Sequence, residues 1–331
     1  MTRRLLVPLD GMPLAETAVP LARILAGVLN ADLELVRVVP TEVDPAQDAD
    51  SRAQTYLARF ASGMGGSGLE VGTCVLHGDT GKCVVQEATA ERVASVVMST
   101  HARSGMRRAV LGSVAEYVVA HCPVPTVLTR GGIAVRSRLH TLLVAIDATC
   151  AAPLPTVMEL AQHHDVRVVL LGVVAPQDLS IWQWQSGPTM DEPQAVYMAR
   201  QPLDDVATWL RTGGIHTEVR VGIGAPAAII DEFAERVDAD LIVMASHGRT
   251  GAQRAIRGSV ADAVVRTAGR PVMVCRLVPP PPRMPDALDI ARATQHVPPP
   301  LVPQTIPDPP DGVWHRQPSA GWRHLSGALP R

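Results

Sequence analysis

Aromatic residues are scarce in this chain, at 3% against 47% hydrophobic residues. The core must therefore be built from Val, Leu, Ile and Ala. Lysine is scarcer still, with Lys82 alone among 30 basic residues, a bias that codon usage explains better than function does. No strong charge of either sign accumulates: the formal balance is −2, which argues against nucleic acid as a main partner, since that usually needs a basic face. The five cysteines, at 74, 83, 122, 150 and 275, are odd in number and include no C-x-x-C pair. They read as reduced, mostly buried thiols. No run reaches eighteen apolar residues, and Met1 to Pro8 contains no apolar h-region. Neither a membrane span nor a signal peptide is expected, and the expected location is the cytoplasm.

What the chain does contain is a repeat. Val97-Met-Ser-Thr-His-Ala-Arg-Ser-Gly-Met-Arg-Arg-Ala-Val-Leu-Gly-Ser-Val114 returns as Val243-Met-Ala-Ser-His-Gly-Arg-Thr-Gly-Ala-Gln-Arg-Ala-Ile-Arg-Gly-Ser-Val260, at a constant offset of 146 residues. The match extends from Gly78 and Gly224 to Pro125 and Pro271. Such a period is far too long for a solenoid and marks a duplicated domain of roughly 135 to 140 residues. The expected boundaries are 1–132 for the first domain, 138–278 for the second, and 279–331 for a Pro-rich tail expected to be extended or disordered. One short helix is expected there over 286–294.

Within each half, short aliphatic runs alternate with helical periodicity. The expected strands are 5–9, 33–39, 69–76, 94–98 and 125–130, then 141–146, 166–174, 215–221, 240–244 and 271–276. Helices fall between them, one of them spanning Leu14 to Leu29, where Pro20 is expected to kink the helix or leave one carbonyl unpaired. That alternation implies right-handed βαβ crossovers and a doubly wound α/β fold, with a parallel sheet covered on both faces.

Each copy of the repeated stretch runs from a buried strand through a glycine-containing loop into a helix that opens on Gly-Ser. Backbone N–H groups and the positive end of the helix dipole point into such a loop, which suits an anion and phosphate above all. Ser259 adds a hydroxyl, and Arg249, Arg254 and Arg257 add positive charge. In a parallel sheet this loop meets the end of the first strand, where Asp10 and Asp147 stand. An acid there orients a ligand or caps a helix. His101 and His247, matched in the two loops, serve either a phosphate or the loop backbone.

Three other features resolve to plain structural readings. Gly78-Asp-Thr-Gly-Lys-Cys83 has two residues between its glycines where a P-loop needs four, and Cys83 where Ser or Thr would hold magnesium. A strand-to-helix turn explains it. His163-His164-Asp165 lacks the i, i+4 spacing of helical metal ligands, so no metal site is expected. Ser113 and Ser259 sit in no G-x-S-x-G elbow and are caps rather than nucleophiles.

These residues together resemble the universal stress protein family in tandem form, whose loop pattern is Gly, two residues, Gly, nine residues, then Gly-Ser or Gly-Thr, after a strand that often ends in Met. The resemblance covers 3–130 and 139–276. It implies a Rossmann-like, adenine nucleotide α-hydrolase-like fold of two five-stranded sheets ordered 3-2-1-4-5, and ATP or AMP binding as in part of the family. Mg2+ would enter only through the nucleotide. It also implies pairing through the fifth strands, here as an intrachain pseudo-dimer, with further homodimerisation and the protein partner left open. Carried over by position, the second-half site is Asp147, Val173 on the adenine side, Met244, Ala245, Gly248, Gly258, Ser259 and Val260. The first-half site is Pro8, Asp10, Val38, Met98, Ser99, Ala102, Gly112, Ser113 and Val114.

Ser99 and Ala102 replace both loop glycines in the first half, whereas the second half keeps Gly248 and loses only one, to Ala245. A Cβ where backbone must approach phosphate costs on the order of 1 kcal/mol, so the second half is the preferred nucleotide site. The function implied is an ATP-binding regulatory protein of the stress response and not an enzyme, slow ATP hydrolysis aside. A tandem scaffold binding proteins through its tail, without nucleotide, is the alternative. Leu9-Asp-Gly-Met-Pro13 lacks the Ser-Gly-Gly-x-Asp-Ser of ATP-cleaving relatives.

Overall fold

The computed structural model describes residues 2–40, 47–64, 68–100, 111–133, 135–146, 151–162, 165–176, 192–246, 259–276, 313–317 and 321–324. The first half contains β1 (Arg3–Pro8), α1 (Pro13–Glu16), α2 (Val19–Leu29), β2 (Ala31–Val39), α3 (Gln47–Ser62) and β3 (Val71–His77), followed by α4 (Thr80–Glu87), β4 (Val93–Thr100), α5 (Ser113–His121) and β5 (Thr126–Arg130). The second contains β6 (Thr141–Ala145), α6 (Leu154–Ala161), β7 (Arg167–Val174), α7 (Glu192–Thr212), β8 (Thr217–Ile223), α8 (Pro226–Arg236), β9 (Leu241–Ser246), α9 (Ser259–Thr267) and β10 (Val272–Arg276). Two strands of the tail follow, β11 (Val313–Gln317) and β12 (Gly321–His324).

The strands form one sheet in the order β12-β11-β8-β7-β6-β9-β10-β5-β4-β1-β2-β3. Each half is thus ordered 3-2-1-4-5 with parallel neighbours, as its βαβ alternation dictates. The two sheets are fused: β5 and β10 pair antiparallel, Val127 opposite Met273, and both side chains are fully buried. Arg130 crosses the same joint, donating to the carbonyls of Arg266 and Thr267 at 3.3 and 3.1 Å. It thereby satisfies carbonyls that the end of α9 leaves without a helical partner.

Side chains alternate across the strands and separate the core into two layers. One is covered by α2, α3, α6 and α7, through residues such as Leu21, Leu57, Leu160 and Leu203. The other is covered by α4, α5, α8 and α9, through Val84, Val118, Phe233 and Val264. Among the described residues no helix is long and apolar enough to cross a membrane.

Two expectations need correction. The helix expected over Leu14 to Leu29 is two helices, because the chain breaks at Thr17–Ala18 and Pro20 falls in the first turn of α2. Its missing N–H has no helical partner to lose there, so no kink results. In the tail, residues 313–317 and 321–324 are not disordered chain. They form an antiparallel hairpin whose first strand runs parallel to β8, Val313 opposite Val221 and His315 opposite Ile223. Backbone pairing to an open sheet edge needs no apolar periodicity, which is why composition gave no sign of it. The helix expected over 286–294 and the aromatic insert at 181–184 lie outside the described residues.

Candidate functional site

β1 and β4 lie side by side, with Leu6 opposite Val96, yet their outgoing connections leave on opposite faces. The chain after β1 goes to α1 and α2 in one layer, and the chain after β4 goes to α5 in the other. A crevice must open beyond their carboxyl ends, and in such folds that is where ligands bind. β6 and β9 repeat the arrangement, Ala145 opposite Met244.

In the first half Asp10 follows β1 and is exposed; its Oδ1 accepts the Met12 N–H at 2.8 Å. The second carboxylate oxygen has no such role in the turn. Gly11 adopts φ +81, and a Cβ there would stand 2.9 Å from Arg37 Nη1. Only glycine suits both the left-handed backbone and the guanidinium lying on it. Across the crevice α5 opens at Gly112, which is extended (φ −61, ψ 154) and supplies no capping side chain. Ser113, expected to be a cap, is instead the first residue of the helix and is exposed; Val114 is half-buried. The first-turn N–H groups of this nine-residue helix thus lack a side-chain cap, and the dipole favours an anion there. By contrast, α4 is capped by Asp79, whose Oδ1 accepts the Lys82 N–H at 2.9 Å. Gly78-Asp-Thr-Gly-Lys-Cys83 is therefore a capped turn.

The remaining expected positions divide by burial. Met98 is 6% exposed, Met244 4% and Ala245 5%. Those side chains belong to the core, so a ligand reaches these residues only through their backbone. Pro8, Val38, Ser99, Val173 and Val260 are half-buried at or near the strand ends or at the start of a helix. Ser259 begins α9, as expected of the Gly-Ser restart. Asp147, Ala102, Gly248 and Gly258 lie outside the described residues, as do His101, His247 and the three loop arginines. His163 and His164 lie outside them too.

A hollow among the described residues lies elsewhere, at the amino ends of β6, β9 and β10. Leu21, Ile24, Arg136, Leu139, Asp240 and Arg270 are among its walls. Asp240 accepts the backbone N–H groups of His140 and Thr141 at 2.7 and 2.9 Å and pairs with Arg136 at 3.3 Å. Asp238, bonded to Arg136 and Arg270, has its pKa lowered by the hydrogen bond from Arg136 first of all. These contacts hold the start of the second half in place. The hollow is a joint rather than the crevice.

The universal stress protein family model matches residues 1–130 and again 139–276. The chain belongs to that family. It is 50% identical over 62 residues to universal stress protein MJ0531 of Methanocaldococcus jannaschii, which covers 19% of this chain and 35% of that one. It is 26% identical over 308 residues to universal stress protein Rv1996 of Mycobacterium tuberculosis, spanning 82% of this chain and 95% of that one. The chain spans 35% and 56% of the length of the first curated relatives it matches. A universal stress protein structure from Archaeoglobus fulgidus shares the fold, with a TM-score of 0.65 at 19% identity, over 83% of this chain and 99% of that one.

Within this universal stress protein, the support beneath Asp10 was not legible from motifs. Arg37 reaches from β2 to the Leu9 carbonyl at 3.5 Å and stands 5.9 Å above the Tyr56 ring. Tyr56 donates to Glu16 at 2.9 Å, and its pKa is raised, by burial first and by that carboxylate second. The available signal was the one charge on the face of β2 that also carries Leu33 and Leu35, both core residues.

Proposed function

We propose that this protein is an adenine-nucleotide-binding regulator, in which ATP occupancy changes the stability or partner surface of the fused sheet. The observation that carries the reading is the crevice at the switch in strand order, with an acid on one lip and an uncapped helix N-terminus on the other. Phosphates suit the amides that open α5 and α9, and base and ribose suit the side of β1 and β6. Asp10 retains a carboxylate oxygen for a ribose hydroxyl, and Val38 and Val173 offer half-buried apolar surface to a base. AMP would use the same contacts without the outer phosphates. Magnesium would arrive on the nucleotide.

The second half is the stronger candidate, because its loop keeps Gly248 where the first has Ala102. No residue is assigned a catalytic role. The stress-response role follows from family membership, and the choice of ATP follows from the loop chemistry. Mass analysis of nucleotide released from purified protein, joined to equilibrium titration with ATP, tests both. Saturable binding that disappears in Gly258→Trp supports the proposal; absence of saturable binding in the unaltered protein removes it. In that event a nucleotide-free scaffold acting through the tail becomes the better reading.

A further inference from the structure

Without the tail hairpin the sheet would end on two strands that are equivalent by the repeat: Val71 to His77 of β3 stands where Thr217 to Ile223 of β8 stands, at the same offset of 146. They are not treated alike. The outer edge of β8 is covered by the C-terminal hairpin. Among the described residues, no strand lies beyond β3. β8 also carries Glu218 and Arg220, whereas Val71-Gly-Thr-Cys-Val-Leu-His77 contains no Asp, Glu, Lys, Arg or Pro. Those are the residues with which natural edge strands discourage pairing. The bare edge is the undefended one.

Its hydrogen-bonding groups can be assigned. Leu33 N–H donates to the Glu70 carbonyl, and Gly78 N–H donates to the Val39 carbonyl, both at 3.0 Å. In a parallel ladder alternate residues serve alternate neighbours. Even-numbered residues from 70 to 78 therefore face β2, and Val71, Thr73, Val75 and His77 present N–H and C=O groups outward. That set is symmetric about Cys74.

We infer that β3 pairs antiparallel with β3 of a second copy of this chain, about a two-fold axis at Cys74. In that register Val71 meets the partner's His77, and Thr73 meets the partner's Val75. Every outward group is then used, at two bonds per opposed pair. The hairpin limits the assembly. Beyond β8 the sheet ends on β12, which is four residues long and carries Arg323; short, charged edges discourage pairing, so assembly through β3 stops at two copies. A seven-residue edge makes a small interface, so the dimer is weak and concentration-dependent.

Sedimentation velocity on the full chain over a concentration series tests this. The expected mass rises from 35.2 kDa to twice that value. Thr73→Pro removes an outward N–H at an exposed position and no bond to β2, so it is expected to hold the monomer mass with an unchanged circular dichroism spectrum. Thr73→Lys, which keeps the N–H but opposes like charges near the axis, is expected to weaken dimerisation at least tenfold. Trp314 stands opposite Gly222 between the two β8 residues whose groups point outward; Trp314→Pro is expected to uncover β8 and give species larger than a dimer. A chain that stays at monomer mass throughout, a dimer that survives both Thr73 variants, or a Trp314→Pro protein no larger than a dimer would each overturn the inference.

Discussion

Arg4, Glu34 and Glu87 occupy in the first half the places that Thr141, Val169 and Phe233 occupy in the second. The strand registers fix the equivalence: Leu6 is opposite Glu34 as Leu143 is opposite Val169, and the offset of 146 brings Glu87 to Phe233. One half fills the space between the sheet and its covering helix with a cation between two carboxylates. The other fills it with a fully buried ring and a valine. Arg4 pairs with Glu34 and, at 2.8 Å, with Glu87. Burial nonetheless raises the Glu34 pKa, with Arg4 opposing and Glu87 adding to the rise. The same fold has two solutions at one place, and the second puts no carboxylate there, its ring lying under the Arg236 guanidinium at 5.4 Å.

Exchanging the two solutions tests that contrast. Phe233→Glu puts a carboxylate in the apolar half with no Arg4 counterpart, and is expected to cost about 4 kcal/mol or more. Urea unfolding followed by circular dichroism would register it as a large loss of midpoint. Arg4→Thr alone leaves two carboxylates facing each other and is expected to cost about 3 kcal/mol by the same measurement. The triple exchange Arg4→Thr, Glu34→Val and Glu87→Phe imports the whole apolar solution. It should be neutral or add about 1 to 2 kcal/mol, and a calorimetric midpoint below that of the parent would contradict the equivalence.

Smaller effects separate the halves at their joint and in their response to pH. Arg130 caps α9 across the joint, whereas its counterpart Arg276 is exposed. Arg130→Met is expected to cost about 1 kcal/mol, with Arg276→Met within about 0.5 kcal/mol of the parent. Thermal melts of the two proteins side by side distinguish them. Glu34 gives the smallest signal. Its folded pKa lies above its unfolded one, so its contribution is full below the unfolded pKa and is lost as pH rises through the folded value. Glu34→Gln should flatten that segment of the stability–pH curve in the mildly acidic range, and an unchanged slope would contradict the assignment.

Much of this architecture was legible because duplication makes the sequence its own control. Two matched stretches gave two domains, and aliphatic runs alternating with helical periodicity gave the doubly wound sheet. Pro20 was misplaced because apolar spacing cannot see a two-residue break between successive helices. The hairpin was invisible for a different reason. Val313-Trp-His-Arg-Gln317 and Gly321-Trp-Arg-His324 carry no strand alternation, and their pairing with β8 runs through the backbone. Of the positions proposed for the site, the end of the first strand at Asp10 and the helix start at Gly112-Ser113 were readable from spacing. The Arg37–Tyr56–Glu16 support was not, since it joins β2, α3 and α1 across the fold. Nor was the Arg4 cluster, where each residue alone reads as a surface charge.

The two halves also differ where the nucleotide is proposed to sit, and the stoichiometry of ATP binding addresses that difference most directly. Isothermal titration of the full chain should give one equivalent per chain, lost in Gly258→Trp and retained in Gly112→Trp. Two equivalents of equal affinity, a single equivalent lost in Gly112→Trp instead, or no saturable heat at all would contradict it.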